Sequence, residues 1–108
     1  MDEEYIEGVL SIVEQVPRGC ATTYGLIAES LHDVLGRGGP RTVASVMRFY
    51  SGPVPWWRVV RADGSLPQEL ADRARQEYLG EGTPLLASGR VDLRRAVWLP
   101  PDIHSPGS

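Results

Sequence analysis

Residues 22–50, TTYGLIAESLHDVLGRGGPRTVASVMRFY, contain the pattern on which the fold depends. Thr22 and Thr23 are suitable N-caps for a helix over 24–31, because a threonine hydroxyl can accept a hydrogen bond from the first helical turn. Glycine supplies three of the four residues at 36–39, which predicts a turn after this helix. The stretch therefore predicts a short helix and a glycine-rich turn, with a second helix to follow.

The second helix of this stretch begins at Pro40, because the backbone angle of proline suits a helix and its missing N–H would have no partner in the first turn. Apolar residues then recur at helical spacing, and polar residues occupy the other side. The predicted inner face consists of Val43, Val46, Met47 and Tyr50. The predicted outward face consists of Arg41, Thr42, Ser45 and Arg48. Two short helices joined by a glycine-rich turn, the second bearing arginines, are typical of a helix-turn-helix whose later helix contacts DNA.

The flanking residues predict a small domain around this unit. Tyr5–Val16 has the apolar period of a helix, with acids in the first turn where the helix dipole favours them. Trp57–Arg61 is aromatic and β-branched and precedes turn formers at 62–65, which predicts a strand leading into a wing-like loop. The remaining predicted elements are a helix over Gln68–Leu79, an exposed strand over Val91–Leu99 and a loose tail over 100–108. We expect one domain over 1–99, mainly α with a small β wing, as a winged helix-turn-helix.

Length and composition narrow the class of protein. The chain has 108 residues, of which 42% are hydrophobic, enough to bury one core without a metal or a disulfide. Cys20 is the single cysteine, and neither His32 nor His104 has zinc-ligand spacing. We therefore expect no metal, no cofactor and a reducing, cytoplasmic location. Apolar runs are only a few residues long, which predicts no membrane partner. A monomer is the expected oligomeric state.

The distribution of charge favours a nucleic-acid partner, although the formal net charge is -3. Residues 1–17 carry five acids and no base. Residues 18–61 carry six arginines against Glu29 and Asp33, a local excess of four positive charges. Because phosphate contacts need clustered cations whatever the total charge, the helix-turn-helix region is the predicted contact surface.

Three segments in order resemble the DNA-binding domain of O6-alkylguanine-DNA alkyltransferases. They are Val16–Gly25 (VPRGCATTYG), Pro40–Val43 (PRTV) and Pro55–Val60 (PWWRVV). In the active enzymes of that family the third segment has a cysteine that accepts the alkyl group, followed by a histidine that helps to deprotonate it. Trp56 and Trp57 occupy these positions here. Because indole is neither a nucleophile nor a base near neutral pH, we expect no alkyl transfer at this site and no enzyme activity.

Tryptophan in place of that cysteine is characteristic of the alkyltransferase-like proteins, and residues 89–93 (GRVDL) are also similar to that family. The resemblance implies a non-enzymatic sensor that binds O6-alkylguanine in double-stranded DNA through the minor groove and flips the damaged base into a pocket. It also implies that the lesion is passed to nucleotide excision repair proteins. Preference among alkyl groups is left open, because the family usually has histidine where this chain has Trp57.

The resemblance also implies which residues carry out these tasks. Tyr24 is expected to rotate a phosphate and Arg41 to fill the vacated base stack, since extraction of a base must offset a few kcal/mol of unstacking. Trp56 is expected to pack against the alkyl group, and Trp57 to fill volume behind it. The expected DNA-binding residues are Tyr24, Arg41, Thr42, Ser45 and Arg48. The expected lesion-pocket residues are Tyr24, Met47, Pro55, Trp56, Arg58 and Val59.

The sequence leaves two other functions and the orientation of one side chain open. A winged helix-turn-helix can also be a transcriptional regulator that binds a specific operator, usually as a dimer. A residual enzyme could use Cys20 as its acceptor, although this residue precedes the second helix and, in the arrangement that the resemblance implies, is remote from the pocket motif. Glu69, an acid where the family often has a basic residue, either points into solvent or pairs with Arg73 four residues later.

Overall fold

The structure is a computed structural model that describes residues 2–50 and 52–101. Five α-helices, one 3-10 turn and two short strands make up the described chain. In chain order they are α1 (Glu3–Gln15), β1 (Thr22–Thr23), α2 (Tyr24–Leu35), α3 (Pro40–Tyr50), the 3-10 turn Trp56–Arg58, β2 (Val59–Val60), α4 (Gln68–Glu81) and α5 (Leu93–Ala96). No helix in the described ranges is long and apolar enough to span a membrane.

The helix-turn-helix is confirmed, with α2 and α3 packed against each other. Thr23 caps α2, and its hydroxyl accepts a hydrogen bond from the N–H of Leu26 at 3.0 Å. Gly36 ends α2 in the left-handed conformation at φ 71°, which glycine adopts without steric penalty. The prediction of Thr22 as a second capping candidate was wrong, because its backbone pairs with Val59 in the sheet.

The apolar residues form two adjoining clusters. The first joins α1, α2 and α3, and its fully buried members are Tyr5, Val9, Val13, Ile27, Val43, Val46 and Val59. The second cluster lies beneath α4 and α5, and consists of Ala21, Val60, Ala74, Tyr78, Val91 and Ala96. Tyr50 was predicted to face inward, but it is 43% exposed because α3 ends there, beyond its last contacts with the core. The predicted inner face is therefore correct for Val43, Val46 and Met47 only.

Parallel pairing of β1 with β2 brings the end of the α1–α2 loop beside the chain that follows α3. Thr22 is opposite Val59 and Thr23 is opposite Val60. The predicted strand over Trp57–Arg61 is thus shorter than expected, because its first two residues belong to the 3-10 turn. The wing-like turn follows, and the N–H of Gly64 donates to the carbonyl of Arg61 at 2.8 Å.

The predicted exposed strand over Val91–Leu99 is wrong. Its middle is the helix α5, in which the N–H of Ala96 donates to the carbonyl of Asp92 at 2.9 Å. Val91 and Ala96 are buried in the second cluster, and single bridges to Leu85 and Ala21 flank the helix. In a strand, residues five apart point to opposite faces, so the shared burial of Val91 and Ala96 does not fit a strand with one exposed face.

The predicted loose tail is also wrong for its first two residues. Pro100 is buried, and the hydroxyl of Ser30 donates to the carbonyl of Pro101 at 2.6 Å. Ser30 is itself 2% exposed, so this contact fixes the end of the described chain against α2. The rest of the predicted tail, 102–108, lies outside the described residues.

Candidate nucleic-acid interface

A cleft of about 750 Å³ opens between the start of α2, the end of α3, the 3-10 turn and the first half of α4. Its walls combine aromatic, aliphatic and charged side chains. They are formed by Tyr24, Ala44, Met47, Arg48, Phe49, Gly52, Trp56, Arg61, Leu66, Pro67, Glu69, Leu70 and Arg73. This size and mixture are typical of sites that hold a flat organic group with a few polar anchors.

Tyr24 enters the cleft from the first residue of α2, where the cap formed by Thr23 sets the direction of the helix. Burial raises the pKa of its phenol, and the positive charge of Arg61 partly opposes this shift. The hydroxyl therefore stays protonated near neutral pH and can donate a hydrogen bond. Sequence reasoning had singled out this tyrosine, and the structure places it in the cleft.

Trp56 also lines the cleft, from the start of the 3-10 turn. The guanidinium carbon of Arg73 lies 5.4 Å from the centroid of one of its rings, within the range of a cation–π contact. Glu69 also lines the cleft but forms no ion pair with any residue in the described ranges. The guanidinium of Arg73 faces Trp56 instead. Of the two alternatives for Glu69, an ion pair with Arg73 is therefore wrong.

The outward face of α3 leads to the cleft from one side. Arg41, Ala44 and Arg48 are spaced three and four residues apart, so their side chains lie along one helical face. Ala44 and Arg48 line the cleft, and Arg41 is exposed one turn nearer the helix start. Thr42 and Ser45 are half-buried beside this row. Of the five predicted DNA-binding residues, Tyr24 and Arg48 therefore line the cleft, whereas Arg41, Thr42 and Ser45 lie on α3 outside its lining.

Three of the predicted pocket residues lie elsewhere. Pro55 and Arg58 line a second groove of about 640 Å³ on the other side of the 3-10 turn. Val59 is 1% exposed in the first core cluster. The 3-10 turn rotates successive side chains by about 120°, so Pro55 and Arg58 point away from the direction of Trp56. Val59 lies in β2, after the turn, where its side chain packs into the core. Of the predicted pocket residues, the structure brings together Tyr24, Met47 and Trp56.

Arg58 connects separate segments of the fold. Its guanidinium forms an ion pair with Glu81, with Nε at 3.1 Å from both carboxylate oxygens, and it donates to the carbonyl of Val16 at 2.9 Å. Burial alone would raise the pKa of Glu81, but hydrogen bonds from Arg58 and from the N–H of Gly19 lower it. The pair therefore joins the end of α1, the 3-10 turn and the end of α4.

Trp57 lies behind Trp56, with the two rings edge to face at a centroid distance of 5.6 Å. Its carbonyl accepts a hydrogen bond from the hydroxyl of Tyr78 at 2.6 Å. Burial is the main cause that raises the pKa of this tyrosine, which keeps the hydroxyl as a donor. Trp57 lines the second groove, and its expected role in filling volume behind the cleft stays a prediction.

Sequence reasoning missed several cleft residues, among them Arg61, Phe49 and Leu70. Phe49 is 68% exposed beside Arg48, whose guanidinium carbon lies 5.3 Å from its ring centroid. A large apolar residue that lies outside the inner face of a helix is a signal that could have identified it. Arg61 and Leu70 depend on how the wing and α4 fold back, for which the sequence has no local signal.

The side chains of the cleft limit the chemistry available there. Cys20 is half-exposed in the loop before β1 and is not among the residues that line the cleft. Within the described part of the chain, no three histidine, cysteine or acidic side chains are grouped as metal ligands. The described cleft offers donors, aromatic faces and positive charge, which suit binding of an electron-rich base or an anionic group.

Comparison with known proteins identifies the family. The sequence pattern of the family described as 6-O-methylguanine DNA methyltransferase, DNA binding domain, matches residues 4–82. A protein named DNA base-flipping protein from Escherichia coli is 34% identical over 104 residues, covering 90% of this chain and 76% of that protein. A protein of the same name from Vibrio parahaemolyticus is 26% identical and covers 91% of this chain and 99% of its own.

Solved structures show the same fold. The crystal structure of S. pombe Atl1 in complex with damaged DNA containing O6-carboxymethylguanine aligns with a TM-score of 0.74 and 22% sequence identity. The alignment covers 93% of this chain and 99% of that one. A second structure, of S. pombe ATL in complex with DNA, aligns with a TM-score of 0.72 and 24% identity. The chain belongs to the family of the 6-O-methylguanine DNA methyltransferase DNA-binding domain, and within it is an alkyltransferase-like protein.

Proposed function

We propose that this protein recognises damaged DNA by flipping an O6-alkylguanine from the duplex into the cleft beside Trp56 and holding it there without removing the alkyl group. The observation that carries the proposal is the position of Trp56. Its indole forms a wall of the cleft beside Tyr24 and Met47, at the position where active members of the family have their acceptor cysteine.

The surroundings of the cleft support base flipping. Arg41 is exposed on the α3 face that leads to the cleft, where its planar guanidinium can enter the stack that a flipped base leaves. Tyr24 lies at the cleft wall with a protonated hydroxyl that can bind a phosphate oxygen. Small side chains at Thr42, Ala44 and Ser45 allow α3 to approach the DNA backbone closely, which favours insertion of this helix from the minor groove.

Retention of the alkyl group follows from the chemistry of the cleft. Transfer needs a nucleophile with an activating base, and neither Trp56 nor Trp57 supplies one. The proposal therefore includes delivery of the bound lesion to nucleotide excision repair proteins, because a protein that only holds the base leaves the damage in place. The protein acts as a monomer in this proposal, since one cleft serves one lesion.

The test is binding to matched duplexes that contain guanine or O6-methylguanine, measured by fluorescence anisotropy at a stated salt concentration. We expect tighter binding to the modified duplex, a smaller preference for Trp56→Ala, and recovery of intact O6-methylguanine by mass spectrometry. Equal affinity for both duplexes would reject lesion recognition and favour a regulator with its own operator. An alkyl adduct on Cys20 would instead show a residual transferase.

The link to excision repair has its own test. Damaged plasmid incubated with the nucleotide excision repair proteins should be incised faster when the wild-type protein is added than when Arg41→Ala is added. Equal incision rates with the wild-type protein, with the variant and with no addition would contradict this part of the proposal alone.

A further inference from the structure

The turn between α2 and α3 carries one charged side chain, that of Arg37. The other residues of the turn are glycines, and Gly36, Arg37 and Gly38 are all exposed. The turn leads directly into α3, so Arg37 lies four residues before Arg41, to which the proposed function assigns the vacated base stack. No neighbouring side chain in the turn would keep a duplex away from this guanidinium.

In the free protein the guanidinium of Arg37 is bound to two carboxylates at the start of α1. Its Nε donates to Oδ2 of Asp2 at 2.7 Å, and Nη2 donates to the same oxygen and to Glu4 at 3.0 Å. The hydrogen bond from Arg37 is the main cause that lowers the pKa of Asp2, so this carboxylate is charged near neutral pH. Nε and Nη2 form the edge of a guanidinium that binds phosphates and carboxylates, and here the two acids occupy it.

This ion pair is open to solvent. The side chain of Arg37 is 46% exposed, and those of Asp2 and Glu4 are 38% and 67% exposed. Water and salt screen charges at such positions, so an external anion is able to compete with the two carboxylates. The phosphates of a duplex are anions of this kind, present at high density along the backbone.

A separate contact holds the turn in place. Gly38 has φ +89° and lies against the ring of Tyr5, since a Cβ on this glycine would be 2.3 Å from a ring carbon. Tyr5 belongs to α1 and is 2% exposed. Loss of the ion pair would therefore free the side chain of Arg37, while the turn and the start of α3 would stay packed against α1.

Resting on the proposed function, we propose that Arg37 is a further binding site for a DNA phosphate, and that Asp2 and Glu4 occupy this site until DNA displaces them. The two carboxylates compete with the duplex and lower the affinity for DNA of any sequence. The site recognises no base, because phosphate contacts carry no sequence information. Arg37 is not among the residues that line the cleft, so the site is distinct from the one that holds the lesion.

The test is a double-mutant cycle on binding to an unmodified duplex, measured by fluorescence anisotropy. The first variant combines Asp2→Asn with Glu4→Gln, which removes both charges and leaves a side chain at residue 2 that still caps α1. We expect it to bind about two- to fivefold more tightly than wild type, the scale of one exposed ion pair. Arg37→Gln should lower the affinity more in that variant than in wild type.

The salt dependence of binding is a second measurement. Without the competing acids, a phosphate bound by Arg37 releases its counterion with no internal ion pair to break. The slope of log K against log salt concentration should therefore steepen by up to about 0.9 in the double variant.

The matched control combines Glu3→Gln with Glu7→Gln, two exposed acids of α1 that form no ion pair with any described residue. It removes the same charge from the same helix and should change both the affinity and the slope less. Thermal unfolding of each variant checks that the fold is retained.

The outcomes separate this inference from the proposed function. Equal effects of Arg37→Gln in both backgrounds would overturn the inference, because competition requires coupling between Arg37 and the acids. An equal gain of affinity in the control would also overturn it, since general repulsion of DNA would then explain the gain. Either result leaves lesion recognition intact if wild type still prefers the O6-methylguanine duplex. Coupling without that preference would support the phosphate site and reject lesion recognition.

Discussion

Arg58 and Glu81 form a buried ion pair that connects the 3-10 turn to the end of α4, with side chains 11% and 4% exposed. The guanidinium also donates to the carbonyl of Val16, and the carboxylate accepts from the N–H of Gly19. The pair thus holds the turn that carries Trp56 against the loop between α1 and β1. A buried pair is costly to break from one side, because the remaining charge has no partner.

Replacement of Glu81 by glutamine should therefore destabilise the protein. We expect the free energy of unfolding to fall by about 3 kcal/mol, since Arg58 would remain buried without a counter-charge. Chemical denaturation measures the difference, and Glu7→Gln, an exposed acid on α1, is the control that should change little. A loss in Glu81→Gln no larger than in the control would show that water already solvates the pair.

The same pair predicts a dependence of stability on pH. Burial opposes ionisation of Glu81, but the hydrogen bonds from Arg58 and Gly19 outweigh it and hold the pKa below its ordinary 4.5, so the carboxylate stabilises the folded state above that value. This contribution should be lost as the pH falls through the lowered pKa of the folded state. The difference in unfolding free energy between wild type and Glu81→Gln should therefore shrink from about pH 6 to about pH 3. A difference that stays constant over this range would contradict the assignment.

Gly64 should tolerate no side chain. It has φ +83°, and a Cβ there would lie 2.2 Å from the carbonyl oxygen of Val91. Gly89 has a similar φ of +91°, but a Cβ at that residue would meet nothing within 4 Å, so it isolates the cost of the backbone conformation. We expect Gly89→Ala to lose about 1 kcal/mol of stability and Gly64→Ala about 3 kcal/mol or more. Equal losses, measured by thermal or chemical unfolding, would show that Val91 moves aside.

Arg41→Ala should weaken binding to the lesion without affecting folding. Its side chain is exposed and forms no ion pair within the described residues, so the free energy of unfolding should change by less than about 0.5 kcal/mol. Binding to an O6-methylguanine duplex should weaken by about 1 to 3 kcal/mol, the scale of one lost stacking or hydrogen-bond contact.

Arg18→Gln is the control for this measurement, because Arg18 is an exposed arginine that lines the second groove. Anisotropy titrations with both variants would compare the two surfaces. A similar loss of affinity in both variants would mean that positive charge in general explains the effect of Arg41, and not insertion into the base stack that the flipped base leaves.

The contact between Ser30 and Pro101 should stabilise the fold modestly. Ser30→Ala removes the hydroxyl that donates to the carbonyl of Pro101, and we expect a loss of about 1 kcal/mol. Ser11→Ala, at an exposed position on α1, is the matched control for side-chain size. Hydrogen exchange should also become faster in α5 if the contact holds this end of the chain, and unchanged exchange would argue against that role.

Local signals in the sequence determined the helix-turn-helix. They also gave the expectation that position 56 accepts no alkyl group. Thr23 and Pro40 mark helix starts through their own backbone and side-chain preferences, so α2 and α3 could be predicted from residues a few positions apart. The expectation of no alkyl transfer at Trp56 likewise rests on the identity of that residue alone, because indole is not a nucleophile.

Only the tertiary structure decided what surrounds Trp56. The 3-10 turn directs Arg58 toward Glu81, 23 residues later in the chain, and Arg73 reaches the indole across the cleft from α4. The predicted strand over Val91–Leu99 failed for the same reason, since Ala96 is buried against a cluster assembled from distant segments. Local patterns report on neighbours within a few residues, whereas the direction of a side chain in a turn depends on partners that packing brings together.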